Sequence, residues 1–162
     1  MNIRDAREQD AAAIAAIYNQ AVLTSTATYD TVPQSVEARL EWLREHDERH
    51  PVIVAEDDGG VVGWASLSKW SQRPGYDRTV EISTYIDEGA RGRGLGTILT
   101  QAMIDRARAI GYHAIISRIS LDNERSVRMT ERLGFERVGT LREVGFKFGQ
   151  LLDVAIYELL LG

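Results

Sequence analysis

Residues 91–96 read RGRGLG and run directly into TILTQAMIDRARAI at residues 97–110. Apolar residues recur there at helical spacing, which predicts a helix over Leu95 to Ile110. A helix start leaves four backbone N–H groups without partners inside the helix and carries the positive end of its dipole. Such a place attracts phosphate. Glycine lets the chain close around an anion, because it tolerates positive φ and has no side chain to collide with it. Arg91, Gly92, Arg93, Gly94, Leu95 and Gly96 therefore form a candidate phosphate cradle, with an ordinary strand-to-helix turn as the plainer alternative. A Walker loop needs Gly-Lys-Ser/Thr, and this loop has no Lys. A dinucleotide fingerprint needs Gly-x-Gly-x-x-Gly opening a βαβ unit, whereas here Gly92, Gly94 and Gly96 alternate after antiparallel strands.

Upstream of the loop, TVEISTYI (79–86) alternates and is rich in β-branched residues, so it is predicted as a strand. PVIVAE (51–56), DDGG (57–60) and VVGWASLS (61–68) read as a hairpin. A first short strand covers Met1 to Arg4, and DAAAIAAIYNQAV (10–22) is a helix by periodicity. Ser35 is a predicted N-cap for VEARLEWLREH (36–46). Downstream come a strand at HAIISRIS (113–120) and a helix at NERSVRMTERL (123–133) ended by Gly134. FERVGTLRE (135–143) and LLDVAIYELLL (151–161) are the last strands, with VGFKFGQ (144–150) as the loop or hairpin between them. That order predicts an α+β fold over a single domain, residues 1–162, with an antiparallel first half and a later βα crossover.

The chain has 24 acidic and 19 Lys/Arg residues, a formal charge of −5. An acidic chain is a poor general nucleic-acid binder, so any anion must be caught locally. With no cysteine there is no disulfide, thiolate metal site or Cys nucleophile. No apolar run reaches spanning length and the first residues lack an apolar signal core, so the expectation is a cytoplasmic protein without a membrane partner. His46 and His50 stand four apart, but no third ligand accompanies them, and no metal is expected. The charged run ERSVRMTER (124–132) reads as a solvated helix face.

The loop also fits Arg/Gln-x-x-Gly-x-Gly/Ala through Arg91, Gly94 and Gly96, and DNERSVRMTERLGF (122–135) fits Asn-x-x-Ala/Ser … Leu-Gly-Phe. On these motifs the chain resembles the GNAT family of N-acetyltransferases over nearly its whole length. IYNQAVLTSTATYDT (17–31), RPGYDRTVEISTYI (73–86) and LREVGFKFGQLLD (141–153) resemble its phosphinothricin / methionine sulfoximine acetyltransferase branch. The resemblance implies the GNAT fold, a mixed and mostly antiparallel central sheet flanked by helices. It implies acetyl-CoA as donor, the α-amine of a small amino-acid analogue as acceptor, and a homodimer. It also implies a strand that splays near Tyr85, so that the pantetheine arm pairs with the edge formed by Tyr85, Ile86 and Asp87. Asn123 and Ser126 would then reach the cofactor, although DNERS is also a good helix cap. The family commonly has a Tyr seven positions after that Asn; here the position is Thr130, which leaves the general acid unassigned among Tyr85, solvent and an unprotonated thiolate.

Acetyl transfer to an amine requires a base, a polarised carbonyl and close positioning of donor and acceptor. Glu81 is the only carboxylate inside TVEISTYI and is the candidate base; the resemblance puts the family's base at the same position. Backbone N–H groups around Tyr85 to Asp87 are candidate oxyanion donors. An amino-acid carboxylate calls for Arg with bidentate geometry, and Arg73 and Arg78 precede the Glu81 strand, with Arg73 favoured. Tyr76 and Thr79 add hydroxyls, Tyr29 is a candidate pocket wall, and Lys147 and Phe148 are candidates from a partner subunit. Two rivals stand beside this reading: a CoA-binding sensor without turnover and a nucleotide-dependent transferase.

Overall fold

The computed structural model describes residues 1–162. Seven strands form one sheet in the order β1-β2-β3-β4-β5-β7-β6. In chain order they are β1 (Asn2–Asp5), β2 (Val52–Asp57), β3 (Gly60–Lys69), β4 (Thr79–Ile86), β5 (Ala114–Ser120), β6 (Glu136–Lys147) and β7 (Gln150–Leu160). Four helices accompany them: α1 (Ala11–Thr24), α2 (Val36–Arg44), α3 (Leu95–Ile110) and α4 (Glu124–Arg132). Every neighbouring pair is antiparallel except β4 and β5. The α+β, mostly antiparallel expectation holds.

That one parallel pair decides where a site can form. A parallel connection needs a crossover, and α3 supplies it. Its inward stripe, Leu99, Met103, Ile104 and Ala107, is buried in one cluster with Ile82, Val80 and Ile115. Each such Leu or Ile contributes about 1.5–3 kcal/mol by leaving water. The packing fixes the start of α3 beside the end of β4. On the other face α1 buries Ile14, Ile17, Tyr18 and Val22 against Val52, Val54 and Trp64.

β4 and β5 pair only over Thr79–Ala114, Val80–Ile115 and Glu81–Ile116. Beyond Glu81 they part, β4 staying with β3 and β5 with β7. The sheet therefore carries an internal gap between Ile82–Ile86 and Ser117–Ser120.

Two expected boundaries move. VGFKFGQ is the hairpin rather than the loop of the two expected forms, with more of it in strand: β6 runs on to Lys147 and the reversal is confined to Phe148 and Gly149. A register shift between Leu141 and Gly145, with Glu143 at φ 57°, breaks the alternation that would have shown it. α2 ends at Arg44, so His46 and His50 lie beyond the helix. The Ser35 cap is as expected, its Oγ accepting from Ala38 N–H at 3.0 Å.

Candidate active site

Two clefts meet at the gap. The first, about 940 Å3, runs from Arg91, Gly92 and Gly94–Thr97 past Tyr85 and Ile86 to α4, where Arg125, Met129 and Arg132 face it. The second, about 680 Å3, is lined by Thr26–Asp30, Glu81–Tyr85, Ser117–Ser120 and, from β6, Leu141, Val144 and Phe146. Thr26, Ala27, Thr84, Tyr85, Asn123 and Ser126 line both.

The first cleft has the chemistry of an anion site. Gly94 is the N-cap of α3 at φ 76°, a left-handed conformation costly for other residues, and no side chain caps the helix. The first amides of α3 are thus left to the cleft. Arg91 lines it, whereas Arg93 turns away and pairs with Asp57 at 2.5 Å. Arg125 and Arg132 belong to the run expected to be a solvated face; they are exposed as expected, and they also border the cleft.

β4 offers the cleft an open edge. The Asp87 N–H is engaged by the Val62 carbonyl at 2.9 Å. Alternation along the β3–β4 ladder turns the Tyr85 N–H to β3 as well, and directs those of Thr84 and Ile86 into the gap. Of the expected donors, Ile86 is therefore the one facing the gap. The Asp87 carboxylate is occupied too: it accepts from the Gln20 side chain at 2.7 Å and from Gly89 N–H at 2.9 Å. Asn123 caps α4, its Oδ1 accepting from Ser126 N–H at 3.4 Å, and both residues border both clefts.

Glu81 lines the second cleft and its side chain is 18% exposed. The partly desolvated setting is as expected, but a guanidinium faces the carboxylate. Arg118 on β5 donates to both oxygens, Nε to Oε2 at 2.5 Å and Nη2 to Oε1 at 2.9 Å. The hydrogen bond to Glu81 pushes the Arg118 guanidinium up from its ordinary value. Tyr85 packs on Trp64, with ring centres 4.9 Å apart, and edge-on to Tyr18 at 5.2 Å. Burial pushes its phenol up, and its hydroxyl donates to the Ala27 carbonyl at 3.2 Å.

Tyr29 walls the second cleft, its hydroxyl donating to Ser120 Oγ at 2.6 Å. The structure does not bring Arg73, Tyr76, Arg78 or Thr79 into either cleft. Arg73 caps the short turn Pro74–Tyr76, and the Arg78 carbonyl receives His113 N–H at 2.9 Å. Lys147 is buried within its own chain. Its Nζ donates to the carbonyls of Ala21 at 3.2 Å, Ser25 at 2.6 Å and Thr28 at 2.7 Å, closing the C-terminal end of α1. Phe148 borders the first cleft of the same chain. Thr130 is buried under α4 and lines neither cleft. His46 bonds the Trp42 carbonyl at 2.8 Å and His50 pairs with Asp47 at 2.8 Å, so each has a local partner. Sequence reasoning missed Arg118; an arginine inside the alternating run HAIISRIS was the available signal.

A split β4–β5 pair, an uncapped glycine-led helix and two clefts joined at the gap define an acyltransferase-like architecture. The acetyltransferase (GNAT) family matches residues 14–135. The L-methionine sulfoximine/L-methionine sulfone acetyltransferase of Pseudomonas aeruginosa is 41% identical over 160 residues, 98% of this chain and 93% of that protein. An N-acetyltransferase structure from Staphylococcus aureus Mu50 superposes with a TM-score of 0.97 at 38% identity, covering 99% of this chain and 98% of that one. A GNAT superfamily phosphinothricin acetyltransferase from Sinorhizobium meliloti, solved in complex with AcCoA, gives a TM-score of 0.92 at 34% identity over 99% of this chain and 88% of that one. The chain belongs to the GNAT acetyltransferase family. It is an enzyme with the fold of that family, an N-acetyltransferase.

Proposed function

We propose that the chain moves the acetyl group of acetyl-CoA to the α-amine of a small amino-acid-like acceptor, of the methionine sulfoximine, methionine sulfone or phosphinothricin type. The single observation that carries this is the gap beyond Glu81–Ile116, which brings the cradle of α3 and the Glu81 carboxylate onto adjoining clefts. The activities of the two relatives support the acceptor class.

The residues present fit acetyl-CoA. The uncapped amides of α3 with Arg91 suit a diphosphate, Arg125 and Arg132 add charge along α4, and the unpaired edge at Thr84 and Ile86 suits an amide-bearing arm. The cosubstrate supplies an activated thioester. Glu81, directly or through a water, takes the proton that an ammonium must lose before its nitrogen has a lone pair. The Ile86 N–H is oriented to stabilise an oxygen that gains charge at the gap. Asn123 and Ser126 hold the arm where the clefts meet. A thiol ordinarily titrates near 8.5, well below a buried phenol, so Tyr85 walls the cleft rather than giving up its proton. The amine would attack the thioester directly, the C–N bond forming as the C–S bond breaks and CoA leaves as its thiolate; the chain has no cysteine, the most obvious group for a covalent enzyme intermediate.

A homodimer belongs to this reading. Val144, Phe146 and Leu151 on β6 and β7 are exposed beside the second cleft, and a second copy is the occupant proposed for them. Arg73, Tyr76, Arg78 and Thr79 keep their proposed acceptor role only through such an assembly or a movement of the β3–β4 loop. The test is a panel of amines with acetyl-CoA, reading released thiol. Thiol release with amino-acid analogues above simple alkylamines supports the reading, and no release with any amine overturns it.

A further inference from the structure

Arg118 is the only Arg, Lys or His that lines the second cleft. Its side chain is 55% exposed while its partner Glu81 is 18% exposed, so the guanidinium is the more accessible member of the pair. The Trp70 ring lies 5.9 Å from it and limits where it can swing. Both Glu81 oxygens are engaged by this one guanidinium. A base so engaged is not free to receive a proton from an amine.

We infer that Arg118 is the specificity-determining residue of the acceptor site: it binds the acceptor's carboxylate and, in doing so, releases Glu81 to the amine. This rests on the acetyl-transfer reading above. An α-amino acid carries an ammonium and a carboxylate on one carbon. The Glu81–Arg118 pair presents the opposite two charges side by side, so the acceptor exchanges one ion pair for two. The planar fork of Arg118 passes from one carboxylate to another without loss of bidentate geometry. An amine without an acidic group has nothing to offer Arg118, and Glu81 stays engaged. The pair therefore acts as a filter that admits zwitterions. Arg73, outside the cleft, is not needed for this.

The experiment compares L-methionine sulfone with its carboxamide, in wild type and in Arg118→Gln and Arg118→Lys. The wild type is expected to favour the acid over the amide in kcat/KM by about 10- to 100-fold, the range of a charge-assisted bidentate contact. Arg118→Gln should lose most of that preference, raising KM for the acid and, because Glu81 is no longer engaged, raising kcat/KM for the amide, and Arg118→Lys should restore part of the preference. Equal losses on both compounds, or an undiminished preference, overturn the proposal. Calorimetric binding of the same two compounds to wild type and Arg118→Gln makes the same comparison without turnover. If the wild type acetylates neither compound, the acetyl-transfer reading fails for this acceptor; equal affinities for acid and amide then overturn the Arg118 assignment as well.

Discussion

Glu81 and Ile116 are the last partners in the β4–β5 ladder, and the candidate base therefore sits at the vertex where the sheet opens. Its carboxylate belongs to the second cleft and makes no contact with the α3 cradle. Replacing Glu81 by Gln should lower kcat/KM by about 10²- to 10⁴-fold, the usual worth of a general base. Affinity for CoA, read by calorimetry, should stay within about twofold. Unchanged turnover would remove Glu81 from the role, and turnover lost together with CoA binding would make it structural.

Gly145 lets Tyr29 lie flat on β6: a Cβ there would meet the Tyr29 ring at 2.6 Å. Gly145→Ala must push the ring off its hydrogen bond to Ser120. Overpacking of this kind costs about 1–3 kcal/mol. The expected signature is a rise of about tenfold in acceptor KM with KM for acetyl-CoA unchanged. A variant with normal acceptor KM would show that Tyr29 is not a pocket wall.

Lys147 ties the end of β6 to three carbonyls around the end of α1. Burial lowers its tendency to hold a proton, and the carbonyls are what make the ammonium tolerable there. Lys147→Met keeps the bulk but strands the carbonyls of Ser25 and Thr28, while that of Ala21 keeps the Ser25 N–H at 3.1 Å. A loss of about 2–4 kcal/mol is expected, since each orphaned group costs about 1–3 kcal/mol and water recovers part of it. Urea unfolding measures it. A variant as stable as wild type would show that the Ser25 and Thr28 carbonyls find water at no cost.

Asp10 accepts two hydrogen bonds from Arg4, at 2.8 and 3.0 Å, and one from the Arg7 N–H at 2.7 Å. The Arg4 hydrogen bonds hold its carboxyl below the ordinary value, against the opposing effect of burial. A depressed carboxyl stabilises the fold above its unfolded value, near 4, and that contribution is lost as pH falls through the folded value. Asp10→Asn should therefore cost about 1–3 kcal/mol at pH 7. The difference from wild type should shrink as unfolding is followed from pH 5 down to pH 2. A pH-independent difference would mean that the carboxylate charge is not the cause.

β4 and α3 were legible to the residue, because each is long, strongly periodic and bounded by Gly, Asp or Arg. The uncapped start of α3 behind the loop Arg91–Gly96 was legible because the chemistry of a helix start is local. What escaped notice depends on distant partners. The continuation of β6 through Gly145 and Phe146 is set by pairing with Leu152 and Leu151, not by its own interrupted alternation. Arg118 sits on a strand whose alternation gives it a face but not a neighbour, and only the sheet order puts Glu81 beside it. Arg125 and Arg132 read as solvent charges, and only the fold sets them beside the cleft as well. Lys147 reads as a mobile surface lysine until β6 meets the end of α1.

A strand edge with unfilled backbone positions is ordinarily a hazard, because any passing polypeptide can extend the sheet there and seed self-association. This molecule keeps such an edge in the middle of its sheet, at Thr84 and Ile86, with the α3 and α4 helices standing guard on either side of the entrance. The lining there is not uniform: Arg91, Arg125 and Arg132 border the same cleft as the open edge. An unfilled edge set beside that much positive charge favours a strand-like molecule that carries phosphate over an ordinary polypeptide.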